Sequence, residues 1–232
     1  MEYLNLLEDH MHIDSSFAGT MLREYQTTVN WRHAMNYAAA LNDTNEAYYD
    51  DERSGGIVAH PMYCAALTWP IVERVGEFID SKDFPKELLA TQVHFTESLT
   101  MYRPVVPGDT LTIRGRVDQI EPHRAGTHVI IRFEAIDAGG QRVFVEHIGG
   151  LMRGVECRGG ARGADGPGES APIATAPAEG DVRESNIAIS ALVPFVYDGC
   201  SNIYFPIHTS KKFARQVGLP GIIVQGTATL AM

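Results

Sequence analysis

Cysteines and long apolar runs are scarce in this sequence, and each absence excludes a class of protein. The three cysteines, Cys64, Cys157 and Cys200, are too widely spaced for a disulfide framework or a paired-cysteine zinc site. We therefore expect free thiols in a reducing cytoplasm. No apolar run approaches the roughly 20 residues that a membrane-spanning helix needs. The first residues, MEYLNLLEDHMHID, are acidic, and their apolar run is too short for a secretion signal. The sequence predicts a soluble, cytoplasmic protein without a membrane partner.

Positive charge is also scarce, with 19 Lys and Arg residues against 29 Asp and Glu residues and a formal net charge of −10. Because a nucleic-acid surface needs a basic face, we expect no nucleic-acid partner. The sequence contains no phosphate-binding loop, dinucleotide fingerprint or nucleophilic-serine motif. The acidic stretch from Asp43 to Asp51 lacks the glycine and the glutamate of a calcium loop. We predict no metal site and no separate cofactor.

The first part of the chain combines helical and strand-like patterns. A helix is predicted over Trp31–Leu41, with Asn30 as its cap. A second, very apolar helix is predicted over Ile57–Ile79, where Pro70 should kink or divide it. Beyond these helices an alternating pattern predicts four strands joined by hairpin-length turns, over Thr91–Tyr102, Thr110–Glu121, Thr127–Asp137 and Arg142–Arg153. This order predicts an α+β domain, with one face of an antiparallel sheet on the central helix.

The composition changes after this sheet, and then the first pattern starts again. Residues 157–184 are dense in Gly, Pro and Ala and predict a flexible linker. The segment Gly221–Gly226 repeats the pattern of Gly56–Pro61 about 165 residues later. We therefore predict a first unit over residues 20–156 and a partial second unit over residues 185–232. We expect the second unit to have a strand over Ser185–Ser190, helices and the start of a central helix but no sheet, which suggests a fragment; a second unit that is short by design is the alternative.

Three features together resemble a known family. The first is the segment MYRPVVPGDTLTIRGRV (Met101–Val117), and the second is the repeated unit of polar run, turn, Gly-rich breaker and apolar helix. The third is PIHTSKKFA (Pro206–Ala214) followed by GLPGIIVQG (Gly218–Gly226). They resemble the MaoC-like dehydratases, or (R)-specific enoyl-CoA hydratases, in their tandem double-hotdog form. The resemblance implies a hotdog fold, in which an antiparallel sheet wraps around a long helix. It also implies reversible addition of water to a trans-2-enoyl thioester, with coenzyme A as part of the substrate, and a homo-oligomer.

The family motif, Asp-x-Asn-Pro-hydrophobic-His, is divided between the two units. His208 matches the histidine and Gly226 matches the glycine whose amide holds the thioester oxygen. Ile203 and Phe205 stand where Asp and Asn are usual, and Gln225 stands where a His is usual. The first unit has the other half, since Asp43 and Asn45 match the Asp and Asn while Tyr48 takes the place of His.

The chemistry of hydration requires a base for water, an acid for the α-carbon and donors for the enolate-like oxygen. His208 can transfer protons near neutral pH, and Asn202, Tyr204, Thr209 or a backbone carbonyl could orient its ring. The predicted catalytic residues are therefore His208, Asn202 and Tyr204. The predicted substrate-binding residues are Gln225, Gly226, Thr209 and Lys211.

Structural interpretations stand beside these assignments. His208 would then cap a turn, Gly226 would allow close packing of helix on sheet, and the basic side chains of Lys211, Lys212 and Arg215 would form a solvated helix face. In the repeat, His60 and Pro61 align with Gln225 and Gly226. His60 is expected to be structural, because Pro61 has no amide hydrogen to donate in the way that Gly226 does.

Three functions compete at this level. The first is a hydratase or dehydratase of acyl-CoA, with a kink at Pro70 opening space for the acyl chain in the first unit. The second is a non-catalytic hotdog subunit that partners an active homologue, motivated by Ile203, Phe205 and Tyr48. The third is an acyl-CoA thioesterase, since the same fold also serves hydrolysis.

Overall fold

The computed structural model describes residues 11–165, 184 and 186–232. A six-stranded antiparallel sheet dominates it, with the order β2-β4-β5-β6-β3 and a short strand, β8, beside β4. The four predicted strands are all present, with ends within two residues of the predicted ones. The strands of this sheet are β2 (Tyr25–Thr28), β3 (Gln92–Met101), β4 (Thr110–His123), β5 (Gly126–Asp137), β6 (Arg142–Arg153) and β8 (Arg162–Gly163).

The turn that contains the RPVVPGD sequence is a structural feature of the first unit. The Arg103 guanidinium bonds both carboxylate oxygens of Asp109, at 2.7 and 3.0 Å, and a further oxygen of Asp137 at 3.1 Å. Asp109 also accepts a hydrogen bond from the Val106 amide at 3.0 Å. Such a forked pair fixes the geometry of a turn. The RPVVPGD segment therefore stabilises the turn before β4.

Three helices accompany this sheet: α1 (Trp31–Ala40), α2 (Tyr63–Val72) and α3 (Val75–Phe78). Asn30 caps α1 as predicted, since its side chain accepts from the His33 amide at 3.0 Å. The prediction of one helix over Ile57–Ile79 was too long, because residues 57–62 are non-helical. The predicted stretch is divided close to Pro70, although not at it: helix α2 continues through Pro70 to Val72, and α3 begins at Val75.

Part of the predicted linker belongs to the ordered first unit. Strand β7 (Glu156–Arg158) pairs in parallel with β1 (His12–Asp14), and β8 pairs with β4. The ordered part of this unit therefore extends to at least Gly163. Residues 166–183 of the predicted linker lie outside the described residues.

The regular secondary structure of the second unit is helical over its described residues. Its helices are α4 (Val193–Ser201), α5 (Pro206–Thr209), α6 (Lys211–Gln216) and α7 (Gly226–Ala231). The predicted strand over Ser185–Ser190 is wrong for its described part, because residues 186–190 form no regular structure. They are exposed and so lack a neighbour that could complete a sheet.

Buried polar side chains connect the two units. The hydroxyl of Tyr37 on α1 is 2.8 Å from that of Tyr197 on α4, which donates to Thr227 on α7 at 3.0 Å. His33 adds a second connection, from its Nε2 to the Ser201 carbonyl at 3.0 Å and from its Nδ1 to the Tyr63 hydroxyl at 3.0 Å. Because buried hydroxyl and imidazole groups need partners, these contacts define the position of the second unit on the first.

No helix in the described ranges is long and apolar enough to cross a membrane. Within the same ranges, His, Cys, Asp and Glu side chains form no group of three or more that could hold a metal ion.

Candidate functional site

His208 lies on the short helix α5, and a backbone carbonyl orients its ring. Its Nδ1 is 2.9 Å from the carbonyl oxygen of Ile223, so this nitrogen carries the hydrogen and donates it. Nε2 is therefore the nitrogen that can accept a proton in the neutral ring. Partial burial lowers the pKa of His208, while the Ile223 carbonyl and the nearby Asp198 carboxylate oppose this effect. The backbone carbonyl was one of the orienting groups that the sequence allowed.

Asp198 supplies the charge that position 203 does not. Ile203 is 3% exposed and belongs to the apolar core. Asp198, on α4, is the one acidic residue between positions 186 and 232. Burial raises its pKa, and the neighbouring His208 lowers it. Sequence reasoning missed Asp198 because it lies outside the motif spacing. The sequence could have indicated it, because Asp198 is the one acidic residue in this segment.

Gly226 begins helix α7 and is in close contact with the first unit. A β-carbon added at this position would be 2.4 Å from Nδ1 of His94, a residue of β3. Only glycine allows this approach without a shift of the ring. Gln225, the residue before it, is 1% exposed and donates from Nε2 to the Pro194 carbonyl at 2.9 Å. Gln225 therefore supports the start of the helix from inside.

The other predicted site residues make their described contacts away from the His208 ring. Asn202 ends α4 in the left-handed conformation, and its amide nitrogen is 3.4 Å from Nε2 of His33. Tyr204 is half exposed, and its hydroxyl bonds the carboxylate of Glu73. Thr209 follows His208 at the end of α5 and is half-buried, and Lys211 is exposed. None of the hydrogen bonds described for these four side chains reaches the imidazole of His208.

A β-bulge at Phe95 places His94 on the inner face of the sheet. His94 pairs with Gly150 and Thr96 with the adjacent Gly149, so Phe95 is an extra residue in β3. Because side chains alternate along a strand, one extra residue moves His94 to the face that carries Glu97 and Glu146. His94 Nε2 is 3.2 Å from the Thr96 carbonyl and therefore carries the hydrogen, which leaves Nδ1 as the acceptor beside Gly226.

Two buried carboxyl groups lie behind His94. Glu97 Oε2 is 3.0 Å from His94 Nε2, and the Glu97 side chain is 2% exposed. Glu146, on β6, is fully buried. Burial raises the pKa of Glu97 to about 7 and raises that of Glu146 strongly, with a further contribution from the neighbouring Glu97 charge. Since two adjacent buried negative charges are unfavourable, the pair retains a proton near neutral pH.

A groove of about 510 Å³ separates the edge of the sheet from helices α5 and α6. Its lining includes Val93 and Ile207, which are the sequence neighbours of His94 and His208. Apart from Arg153 and Gln92, its lining is apolar or backbone. The lining residues are Gln92, Val93, Ala125, Arg153, Gly154, Phe205, Ile207, Phe213, Val217 and Leu219.

Asp43 and Asn45, which match the Asp and Asn of the family motif, bond the backbone of a turn in the first unit. Asp43 accepts from the Asn45 amide at 2.9 Å, and Asn45 accepts from the Ala47 amide at 3.0 Å. Asp43 is also 3.8 Å from His60 Nε2, and Tyr48 packs against the His60 ring with centroids 5.4 Å apart. His60 Nδ1 accepts from the Met62 amide at 3.1 Å. These residues form a closed structural turn at the start of α2.

Comparisons with known proteins agree with this architecture. The UPF0336 protein of Streptomyces griseus is 26% identical over 142 residues, which is 57% of this chain and 90% of that protein. The structure of a MaoC-like dehydratase from Phytophthora capsici matches with a TM-score of 0.72 at 21% identity, covering 92% of this chain and 72% of that one. Another MaoC-like dehydratase matches with a TM-score of 0.69 at 17% identity, covering 93% and 75%. These structures show the hotdog fold, which confirms the predicted α+β class.

The family follows from a match of more than half the chain. A family model described as "FAS1-like, dehydratase domain region" matches residues 16–145. This match covers the helix α2, the turn held by Arg103 and most of the sheet. The predicted relation to the MaoC-like dehydratases and hydratases is thereby confirmed. The chain belongs to the FAS1-like dehydratase domain family and adopts its hotdog fold.

Proposed function

We propose that this chain adds or removes water at the C2–C3 bond of an enoyl or 3-hydroxyacyl coenzyme A thioester. The observation that carries the proposal is the fixed tautomer of His208: Nδ1 is committed to the Ile223 carbonyl, so Nε2 is available for proton transfer. His208 is the general acid and base, and the Gly226 amide is the donor to the thioester oxygen. Asp198 favours the imidazolium form of His208 and takes over part of the role of the missing motif aspartate.

The surroundings of the site fit a thioester. The largely apolar groove beside Ile207 is suited to the acyl chain. Lys211, Lys212 and Arg215 are exposed on α6 in an otherwise acidic chain, where they could meet the phosphates of coenzyme A. Thr209 and Gln225 border the residues that would contact the thioester. A homo-oligomer located in the cytoplasm is part of this proposal.

The test is turnover of crotonyl-CoA by the full chain, monitored as the loss of enoyl absorbance. We expect His208→Ala to lower the rate by about 10²–10⁴-fold, the usual contribution of one general acid–base group. His60→Gln is the control, because His60 is a buried histidine of the first unit that aligns with Gln225, and its described contacts are with the Met62 amide and Asp43. Equal rates for His208→Ala and the wild type would refute the assignment.

A second candidate is a non-catalytic subunit that binds acyl-CoA beside an active partner. The burial of Ile203 in the apolar core favours it, because no carboxylate can be introduced at that position without disturbing packing. This function predicts binding of a CoA thioester by calorimetry with no turnover by the chain alone. Release of free CoA, measured with a thiol reagent, would instead identify a thioesterase.

A further inference from the structure

His94 is the point at which the first unit reaches the proposed site of the second. Its Nδ1 lies against the backbone of Gly226, at 2.4 Å from the position of an added β-carbon. In the proposed function Gly226 holds the thioester oxygen, and the α-carbon of the substrate is only one bond from that carbonyl. A side chain in contact with Gly226 is therefore within reach of the α-carbon, whereas His208 serves the hydroxyl at the β-carbon.

The two carboxyl groups behind His94 are buried next to each other, since Glu146 is fully buried and the Glu97 side chain is 2% exposed. They bond each other, Thr68 also bonds Glu146, and Glu97 is 3.0 Å from His94 Nε2. Burying two carboxyl groups together is unfavourable, and titratable groups in such surroundings are typical of functional sites. His128, on the opposite face of the same sheet, offers a contrast. Both of its nitrogens are engaged, by Glu121 at 2.9 Å and by Thr96 at 3.0 Å.

We propose that His94, supported by Glu97, is a second acid–base residue of the site, which exchanges the proton of the α-carbon while His208 exchanges the proton of the hydroxyl group. This inference rests on the proposed function. It assigns the role of the missing motif carboxylate to a histidine from the other unit. It also explains why an extra residue in β3 directs His94 inward.

The step balances in the direction of dehydration. Nδ1 of neutral His94 takes the hydrogen from C2, and the electron pair of that C–H bond forms the enolate, whose oxygen is held at Gly226. The enolate electrons then form the C2–C3 double bond as the C3–O bond breaks. Nε2–H of the His208 imidazolium gives its proton to the leaving hydroxyl, which departs as water. His94 returns its proton to solvent and His208 regains one, and hydration is the reverse sequence.

The electrostatic surroundings of His94 support this sequence. Glu97 from β3 and Glu146 from β6 stabilise the imidazolium, while His208 from α5 opposes it when charged. Burial lowers the pKa of His94, so the ring is neutral and ready to accept a proton at neutral pH. Tyr197 and Cys64, which also face the two carboxyl groups, stay neutral there because burial raises their pKa.

The experiment compares His94→Gln with His128→Gln in the dehydration of 3-hydroxybutyryl-CoA by the full chain. We expect His94→Gln to lower kcat by about 10²-fold with KM changed less than about threefold, the usual effect of losing one acid–base group. The rate of the wild type should rise with pH as His94 loses its proton and fall as His208 loses its own, and the rising limb should be absent in His94→Gln. His128→Gln should retain both the rate and the profile.

If His94→Gln does not fold, a second variant tests the same proposal. Glu97→Gln keeps His94 and its contact with Gly226, and it should lower kcat at least about tenfold. It should also move the rising limb to lower pH, because the imidazolium loses a negative neighbour. The inference is overturned if both variants keep kcat within about threefold of the wild type and keep the rising limb. That result would leave the proposed function intact, whereas a wild type without turnover would remove both.

Discussion

In the first unit, Asp43 and Asn45 bond backbone amides of a turn, whereas in the second unit the corresponding Ile203 and Phe205 are apolar and His208 has a nitrogen available for chemistry. Asp43 and Asn45 thus serve the backbone of a turn. In the proposed function, His208 relies instead on the charges of Asp198 on α4 and of Glu97 beside His94. The comparison shows that polar side chains at the positions of a motif can have a purely local, structural role.

Gly226→Ala is expected to have the largest effect on the second unit. The added β-carbon would be 2.4 Å from His94 Nδ1, so the ring or the helix must shift. We expect a loss of about 1–3 kcal/mol in the free energy of unfolding. Activity should fall by about 10²-fold because the oxyanion donor moves. Denaturant titration and turnover of crotonyl-CoA measure both.

Gly221→Ala is the matched control in the same loop, since a β-carbon there meets no atom within 4 Å. It should change stability by less than about 0.5 kcal/mol. Equal effects of the two substitutions would show that loop flexibility, and not the contact with His94, requires glycine.

Glu97 makes the free energy of unfolding depend on pH. Its pKa of about 7 in the folded chain is above the value of about 4.5 in the unfolded chain, so the folded chain binds more protons between these values. Stability should therefore decrease as pH rises from about 4.5 to 7, by up to about 3 kcal/mol. Urea titrations of the wild type and Glu97→Gln measure this slope, which should be smaller in the variant.

Glu134→Gln serves as the control for this slope. Arg142 and Arg132 lower the pKa of Glu134 despite partial burial, so its contribution has the opposite sign. If Glu97→Gln leaves the pH slope unchanged, the carboxyl of Glu97 does not titrate in the proposed range.

The hydrogen-bonded hydroxyl groups of Tyr37, Tyr197 and Thr227 connect the two units, and their contribution to stability can be measured. Tyr37→Phe removes a buried hydroxyl that is 2.8 Å from the hydroxyl of Tyr197. We expect a loss of about 1–2 kcal/mol in the free energy of unfolding. Tyr102→Phe, at an exposed position with one bond to Arg142, should cost less than about 0.5 kcal/mol. Similar losses in the free energy of unfolding for the two variants would mean that the buried hydrogen bond between Tyr37 and Tyr197 does not stabilise the contact between the units.

Arg103→Ala should have the smallest effect and should leave activity unchanged. The forked pair with Asp109 is partly solvent-exposed, so its loss should cost about 1 kcal/mol. Arg114→Ala breaks a more exposed pair with Glu24 and should cost less. Loss of turnover in Arg103→Ala would place the RPVVPGD turn in the site and would contradict its structural role.

The sequence allowed much of the fold to be predicted, because the signals were local. Alternation of apolar and polar residues located β3 to β6, and Asn30 marked the start of α1. Pro70 indicated the division of the apolar helical stretch only approximately, because a proline removes one helical hydrogen bond and the helix ends two residues later, at Val72. The short strands β7 and β8 were missed because their partners, β1 and β4, are distant in sequence.

The candidate site was predicted only where a motif extends along the chain. His208 and Gly226 were found in this way. Asp198 and His94 were not, because their relation to His208 depends on how helices and units pack. Gly149-Gly150, in the middle of a predicted strand, was the one local sign of the bulge, since β-carbons there would collide with Thr96 and Gln92.

The bulge at Phe95 also makes the direction of His94 an all-or-none property. A strand offers two faces and no intermediate, so removal of one residue between His94 and Glu97 would turn the imidazole away from Gly226 without altering its chemical identity. Relatives should therefore divide into two discrete groups by the length of this strand. Those without the additional residue must either lack the second proton-transfer group or carry it at another position, however similar the rest of their sequence is.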